Sequence, residues 1–173
     1  MKIKNYILHP ISMFIIGLVT GIIIKLIDIH FRVQHFGLSL SDIFSELGIW
    51  ILIGVIISLF SKNKKYAMLN IFLFSIGMLI TYYIIAEVTN SIYGWTFIKG
   101  WSLFACLSPI LAYLVTLTKE KGLLSLVIKI GILLVYLITN IIIFGGPRIY
   151  DIVFIFILIY LLFIKKYKKT DIC

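Results

Sequence analysis

The fold is decided by residues 99–148, which read KGWSLFACLSPILAYLVTLTKEKGLLSLVIKIGILLVYLITNIIIFGGPR. Two apolar runs, 100–118 and 123–144, flank a short turn that carries Lys119 and Lys121. Each run approaches the ~20 residues that an α-helix needs to cross a bilayer. Neither run alternates apolar and polar residues, as a membrane β-strand does. The stretch therefore predicts two membrane-spanning helices joined by a basic turn.

The rest of the chain has the same character. Hydrophobic residues make up 62% of the 173 positions and charged residues 13%, against roughly 45–50% and about 25% in a soluble domain. A water-soluble fold of this length cannot bury so much apolar surface, and in lipid only helices and closed barrels satisfy the backbone. We therefore expect an all-α, polytopic membrane protein with a single transmembrane domain, residues 1–173.

Six spans are predicted, with five as the alternative because several runs are short. Lys, Trp and Tyr side chains at the ends of a short run can reach the interface and make up the difference. Ser41 and Asp42 are expected to cap the second helix. The first run has no small-residue cleavage site and is followed by charged residues, so we expect it to be retained. The predicted spans are 11–27, 43–60, 66–86, 100–118, 123–144 and 149–164.

The basic residues predict the orientation, since loops rich in Lys and Arg stay in the cytoplasm. Four of the 16 lie on one side of the predicted spans, namely Lys25, Arg32, Lys99 and Arg148. Eleven lie on the other side, in clusters at 2–4, 62–65, 119–121 and 165–169. We therefore expect both termini in the cytoplasm. The abundance of Ile, Lys, Asn, Phe and Tyr is typical of an AT-rich bacterial genome, so the expected location is the bacterial cell membrane.

The net charge of +9 is attributed to topology and to attraction for anionic lipid head groups. No nucleic-acid partner is expected. The expected partner is the lipid bilayer, and the basic tail at 165–169 leaves open a cytoplasmic or membrane partner protein. Gly17 and Gly21 form a GxxxG pattern in the first span. That pattern allows close helix packing and leaves open a homodimer.

Ionisable residues near the predicted outer surface are the main candidates for a ligand site. Lys25, Asp28 and Arg32 are spaced to share one helix face, and an ionisable group at membrane depth is costly unless it has a partner or a wet cavity. The alternative is a set of solvated loop charges and weak surface ion pairs. The other members of this mixed-sign ring are Asp42, Glu46, Glu87, Lys99, Arg148 and Asp151.

The fourth span holds three further candidates, Trp101, Ser108 and Pro109. Pro109 cannot donate a backbone hydrogen bond to the Ala105 carbonyl, which predicts a bend. Interrupted helices form binding sites in transporters, although a kink in a packing helix is the alternative. Trp101 belongs to a group of aromatics that predicts either an interfacial belt or a stacking surface for a flat ligand. The group is Tyr82, Tyr83, Tyr93, Trp95, Phe97 and Trp101.

Motifs for catalysis are absent from the sequence. There is no HExxH, GxSxG or GxxxxGK[ST] pattern, and each of these marks a known chemistry. We therefore expect no enzyme activity, no metal and no cofactor. Cys106 and Cys173 fall at different membrane depths, so no disulfide between them is expected.

Two stretches carry a resemblance to known proteins. GMLITYY at 77–83 and KGWSLFACLSPILAY at 99–113, followed by the KEKG turn, resemble a group of small uncharacterised integral membrane proteins of Gram-positive bacteria. The resemblance implies no activity. In size and span number the chain is also similar to the substrate-binding subunits of energy-coupling-factor importers, but its first helix lacks their alanine-rich stripe.

The sequence favours an accessory role, as an immunity, assembly or regulatory membrane subunit. In that case the outer charges should be scattered and the bundle interior apolar. The alternative is a transport-related role, as a small permease or a ligand-capturing subunit, in which Asp28, Glu87 and Arg148 should converge on one cavity. A membrane enzyme is the third possibility, and it would require a buried acid or base beside a gap between helices.

Overall fold

The computed structural model describes residues 8–31, 40–91, 94–165 and 167, and every element in that part of the chain is helical. The all-α prediction is confirmed for these residues. The helices are α1 (Pro10–His30), α2 (Leu40–Ser45), α3 (Leu47–Phe60), α4 (Lys64–Val88), α5 (Trp95–Leu117), α6 (Leu123–Phe144) and α7 (Ile149–Ile159), and a π-helical turn, Tyr160–Ile164, continues α7.

Four of these helices, α1, α4, α5 and α6, are long and apolar enough to cross a membrane. Two apolar helices are shorter, namely α3 and the segment Ile149–Ile164 formed by α7 and its π-helical turn. At a rise of about 1.5 Å per residue, a helix of about 20 residues matches the ~30 Å hydrocarbon layer. The helices therefore have the lengths and composition of a helical membrane protein.

The predicted second span, 43–60, is divided by Glu46. Its backbone is extended, with φ −90° and ψ 150°, so α3 begins only after it. The expectation that Ser41 and Asp42 cap this span is wrong, because both lie within α2. Their side chains bind Asp28 and Arg148 instead, and a hydrogen bond to a charged group is stronger than one to a backbone amide.

Helices α1 and α4 pack closely through glycine. A methyl group on Gly17 would collide with the Phe74 carbonyl oxygen, and one on Gly21 with the Met78 carbonyl oxygen. Thr81 on α4 donates a hydrogen bond of 2.7 Å to the Leu18 carbonyl on α1. The face of α1 with Gly17 and Gly21, which left open a homodimer, is therefore covered by α4 of the same chain.

Helix α3 lies at the centre of the bundle, between two apolar clusters. On one side Trp50 and Ile57 pack with Phe74 and Met78 of α4. On the other side Leu52, Val55 and Leu59 belong to the cluster that contains Tyr136 and Leu158. The 14-residue helix α3 thus joins α1, α4 and α5 to α6 and α7.

The two ends of the bundle differ in charge. At the end where α4 begins, Lys64 forms an ion pair of 2.8 Å with Glu120 in the turn before α6, and Asn63 caps α4 by accepting a bond from the Tyr66 amide. We call this the Lys64 end. The opposite end, where α1 terminates and α7 begins, holds Asp28, Asp42 and Arg148, and we call it the Asp28 end.

Candidate functional site

Asp28, near the end of α1, is the centre of the first polar cluster. Its carboxylate lies 2.9 Å from the ammonium of Lys25, one turn earlier in the same helix. The hydroxyl of Ser41 on α2 donates a hydrogen bond of 3.0 Å to the other carboxylate oxygen. The hydroxyl of Tyr82 on α4 donates one of 3.2 Å. Three helices therefore hold this one carboxylate in place.

Lys25 has no solvent exposure, whereas the side chain of Asp28 is 14% exposed. The Lys25 ammonium also lies 4.8 Å from the ring centre of Tyr82, which is the distance of a cation–π contact. A buried ammonium is tolerated only when it is paired. Lys25 is thus enclosed behind Asp28, and Asp28 is the more accessible of the two charges.

A cavity of about 300 Å³ opens beside Asp28. Its polar wall is formed by Asp28, Ser41, Ser45 and the two tyrosines of α4, and its remaining wall is largely aromatic. Trp50 is fixed in this wall, since its indole N–H donates a bond of 2.9 Å to the Phe44 carbonyl. The aromatic lining residues are Phe44, Trp50, Tyr82, Tyr83, Phe97 and Trp101.

A second cavity, of about 430 Å³, lies between α3, α4, α5 and α6, and exposed side chains such as Val127 and Val135 form part of its wall. It is lined mainly by aliphatic side chains, together with Gly54, Gly131 and Ser108. The two cavities share four lining residues, Trp50, Met78, Leu79 and Trp101. The polar cavity at the Asp28 end is therefore adjacent to the apolar cavity.

Arg148, just before α7, is the centre of the second polar cluster. Its guanidinium forms an ion pair of 2.8 Å with Asp42 and one of 3.1 Å with Glu46. The Glu46 side chain is only 3% exposed, and its burial raises the pKa of the carboxyl while the charge of Arg148 opposes that rise. One cation therefore holds two carboxylates from the α2–α3 segment.

Asp151 continues this second cluster into the interior. It has no solvent exposure, and its carboxylate accepts bonds from the Tyr136 hydroxyl, the Asn140 amide and the backbone N–H of Arg148. Gly48 lies against this cluster, since a methyl group on Gly48 would come within 2.9 Å of the Tyr136 hydroxyl and 3.2 Å of the Asp151 carboxylate. This carboxylate anchors α7 to α6, and neither of the two cavities is lined by it.

The short helix α2 connects the two clusters. Ser41 binds Asp28 and the next residue, Asp42, binds Arg148. Most of the predicted outer ring of charges is therefore divided into two groups, one beside a cavity and one around Arg148, in which Glu46 and Asp151 are buried. Of the sequence-derived candidates, Asp28 and Trp101 line the polar cavity, Ser108 lines the apolar one, and Arg148 lines neither.

Two further candidates, Glu87 and Pro109, line neither cavity. Glu87 is exposed near the end of α4, so the expected convergence of Asp28, Glu87 and Arg148 on one cavity is wrong. Arg32 lies outside the described residues. Pro109 does not interrupt α5, because the Ser108 hydroxyl donates a bond of 2.7 Å to the freed Ala105 carbonyl. That carbonyl therefore already has a partner and does not need a ligand.

Sequence reasoning missed three residues of these clusters and of the cavity wall, namely Ser41, Trp50 and Tyr136. Tyr136 carried a usable signal, since it lies one turn from Asn140 on a largely apolar helix, and such polar groups need partners in the membrane. Ser41 carried no such signal because its partner is 13 residues away. Among the described residues, no group of three His, Cys, Asp or Glu side chains could hold a metal ion.

Comparison with known proteins adds no assignment. No protein-family model matches the sequence, and no curated protein or solved structure matches it. The class of this chain, a helical protein with membrane-spanning helices, therefore rests on its own residues. The resemblance of 77–83 and 99–113 to small Gram-positive membrane proteins stays a prediction.

Proposed function

We propose that this chain is a bacterial cell-membrane protein with six spans and both termini in the cytoplasm, which captures a small ligand at its outward-facing Asp28 end. The observation that carries the proposal is the Asp28 carboxylate, 14% exposed, in the wall of an aromatic cavity. Ionisable groups within membrane helices usually serve a ligand or ion pathway.

The topology is supported by charge and by helix length. The basic clusters at 62–65 and 119–121 flank the Lys64 end, and loops rich in Lys and Arg stay in the cytoplasm. The π-helical turn extends α7 to a segment of 16 residues, and α2 adds a turn before α3. Short spans of this kind can be accommodated by local thinning of the bilayer.

Cysteine labelling tests the topology. In a Cys106→Ser background, a membrane-impermeant maleimide should label Cys173 only after the cells are permeabilised. With Cys173 also changed to Ser, Ser91→Cys between α4 and α5 should be labelled on intact cells. Labelling of Cys173 on intact cells would exclude the cytoplasmic C-terminus.

A thermal-shift screen of the purified full chain in detergent tests ligand capture. A ligand that binds only the folded state raises the melting temperature, and at 100 times its Kd it adds about 2.7 kcal/mol of stability. The panel should include vitamins, amino acids, nucleobases, lipids and cationic amphiphiles. At least one compound should shift the wild type and the control Glu87→Gln, but not the double variant Lys25→Met/Asp28→Asn.

The double variant removes both charges of the ion pair, so that neither is left buried without a partner. A compound that shifts the double variant as much as the wild type does not use this cavity. If no compound in the panel shifts the wild type, ligand capture at Asp28 is rejected.

An accessory role, as an immunity, assembly or regulatory subunit, is the second candidate. It is favoured by the Arg148 cluster, whose groups bind one another, and by the apolar lining of the cavity between α3 and α6. A failed ligand screen would favour this role, and a pull-down with the basic tail would then be the next test. We expect no enzyme activity, although the buried pair beside a cavity is what a membrane enzyme would require.

A further inference from the structure

The polar cavity presents a single charge to a ligand. Among its described lining residues Asp28 is the one with a charged side chain, while the other polar groups are hydroxyls of serine and tyrosine. Lys25 does not belong to the wall and has no exposure. A ligand in this cavity therefore meets a carboxylate whose countercharge lies behind it.

The aromatic wall favours a ligand of opposite charge. Ring faces attract cations, most strongly tryptophan and tyrosine, and several rings together bind quaternary ammonium groups. The ring of Tyr82 already makes such a contact with Lys25, at 4.8 Å. Trp50 and Trp101 lie edge to face with ring centres 6.1 Å apart, so the wall is composed of packed rings.

The apolar cavity has the chemistry of a tail site. Three of the four hydroxyls among its described lining residues bond within their own helices, as Ser58 does to the Gly54 carbonyl, Ser108 to Ala105 and Thr139 to Val135. These side chains therefore offer little to a polar ligand. Because Trp50, Met78, Leu79 and Trp101 line both cavities, the two are adjacent across these side chains.

We propose that the captured ligand is a lipophilic cation. Its charged head lies against Asp28 within the aromatic wall, and its alkyl or aryl part extends past Trp50 and Trp101 into the apolar cavity. This inference rests on the proposed function and adds the chemical class of the ligand. It also assigns separate roles to the two cavities, which separate variants can test.

Octyltrimethylammonium is the probe for the head, with octanoate as the anionic control of matched chain length. Calorimetric titration of the full chain in detergent should give a Kd for the cation at least about tenfold lower than that for octanoate, because the carboxylate of Asp28 attracts one and repels the other. The double variant Lys25→Met/Asp28→Asn should lose that preference.

Two glycines provide a matched pair for the tail. Gly131 lines the apolar cavity and Gly100 lines neither cavity, and a methyl group at either would meet nothing within 4 Å. Gly131→Leu should weaken octyltrimethylammonium binding by about fourfold or more, since each methylene excluded from an apolar site costs about that factor. Gly100→Leu should leave the Kd unchanged.

The outcomes separate this inference from the proposed function. If an anionic or neutral compound of the panel binds through Asp28 while octyltrimethylammonium does not, the cation is wrong and ligand capture stands. Equal binding of octanoate would mean that the cavities take any alkyl chain, including a lipid tail, and would also overturn the cation. Equal effects of the two glycine variants would overturn the tail site. If nothing binds, both proposals fail.

Discussion

The two polar clusters at the Asp28 end are built from similar groups, yet only one has space beside it. Asp28 accepts bonds from a lysine, a serine and a tyrosine and lines a cavity. Asp151 accepts bonds from a tyrosine, an asparagine and a backbone amide and has no exposure. Gly48 fills the space beside Asp151, whereas Asp28 lies in the wall of the polar cavity.

The comparison teaches that a buried carboxylate is no indication of function by itself. Both carboxylates are costly to bury and both have partners. What differs is the neighbouring volume, which is filled by the α3 backbone in one case and open as a cavity in the other. Helix α2 supplies Ser41 to one cluster and Asp42 to the other. The stabilities of variants in the two clusters can therefore be compared at the same end of one protein.

The largest effect is expected from Asp151→Ala. This change leaves the Tyr136 hydroxyl, the Asn140 amide and the Arg148 N–H without their acceptor in a dry site, so the free energy of unfolding should fall by about 3–5 kcal/mol. Thermal unfolding in detergent measures it. Glu87→Ala, at an exposed position, is the control and should stay within about 0.5 kcal/mol. A loss of stability as small as that of the control would mean that Asp151 does not anchor α7.

The next effect concerns the glycine that closes the second cluster. Gly48→Ala would place a methyl group 2.9 Å from the Tyr136 hydroxyl and 3.2 Å from Asp151, and such overpacking costs about 1–3 kcal/mol. Gly54→Ala on the same helix meets only Ile71, at 3.7 Å. It should be neutral or stabilise by up to about 1 kcal/mol, because alanine is the better helix former.

The melting temperature of Gly48→Ala should therefore fall below that of the wild type. The melting temperature of Gly54→Ala should equal or exceed that of the wild type. If Gly48→Ala is as stable as Gly54→Ala, the space beside Asp151 is not filled, and the distinction between the two clusters disappears.

The ion pair of the first cluster should be less costly to break. Lys25→Met removes the ammonium but keeps the hydroxyls of Ser41 and Tyr82 among the donors to Asp28, beside a cavity that admits water. The expected loss is therefore about 1–2 kcal/mol, below the 3–5 kcal/mol of a fully buried pair. Lys25→Met/Asp28→Asn should be more stable than Lys25→Met, since it leaves no unpaired charge. The two melting temperatures, measured in one detergent, decide this. A single variant as unstable as Asp151→Ala would show that the cavity does not hydrate Asp28.

Much of the fold could be predicted from the sequence, because a long apolar helix and the residues that end it are determined by residues close together in the chain. The span 123–144 was predicted with the bounds that α6 has, since Gly122 and Gly145 adopt positive φ values at its two ends. The division of 43–60 at Glu46 could not be predicted, as it depends on Arg148 a hundred residues away.

The candidate site was predicted in part. Asp28 and Trp101 were expected at a cavity, and both line one. Glu87 and Arg148 were expected beside them, but Arg148 lies in the second polar cluster. A charge count places residues at one end of a bundle. It does not say which of them have free volume beside them, because that depends on small residues such as Gly48 in neighbouring helices.

The smallest effect is expected from Glu46, through its pKa. Burial, the largest cause, raises that pKa above the ordinary value of 4.5, so the folded protein binds this proton more tightly than the unfolded chain. The contribution to stability is complete below pH 4.5 and is lost as the pH rises through the raised pKa. Between these limits the melting temperature of the wild type should therefore fall relative to that of Glu46→Gln, which has no proton to lose. A wild type that gains on the variant over this range would mean that the ion pair with Arg148 outweighs burial, and that this cluster is held by charge more than by packing.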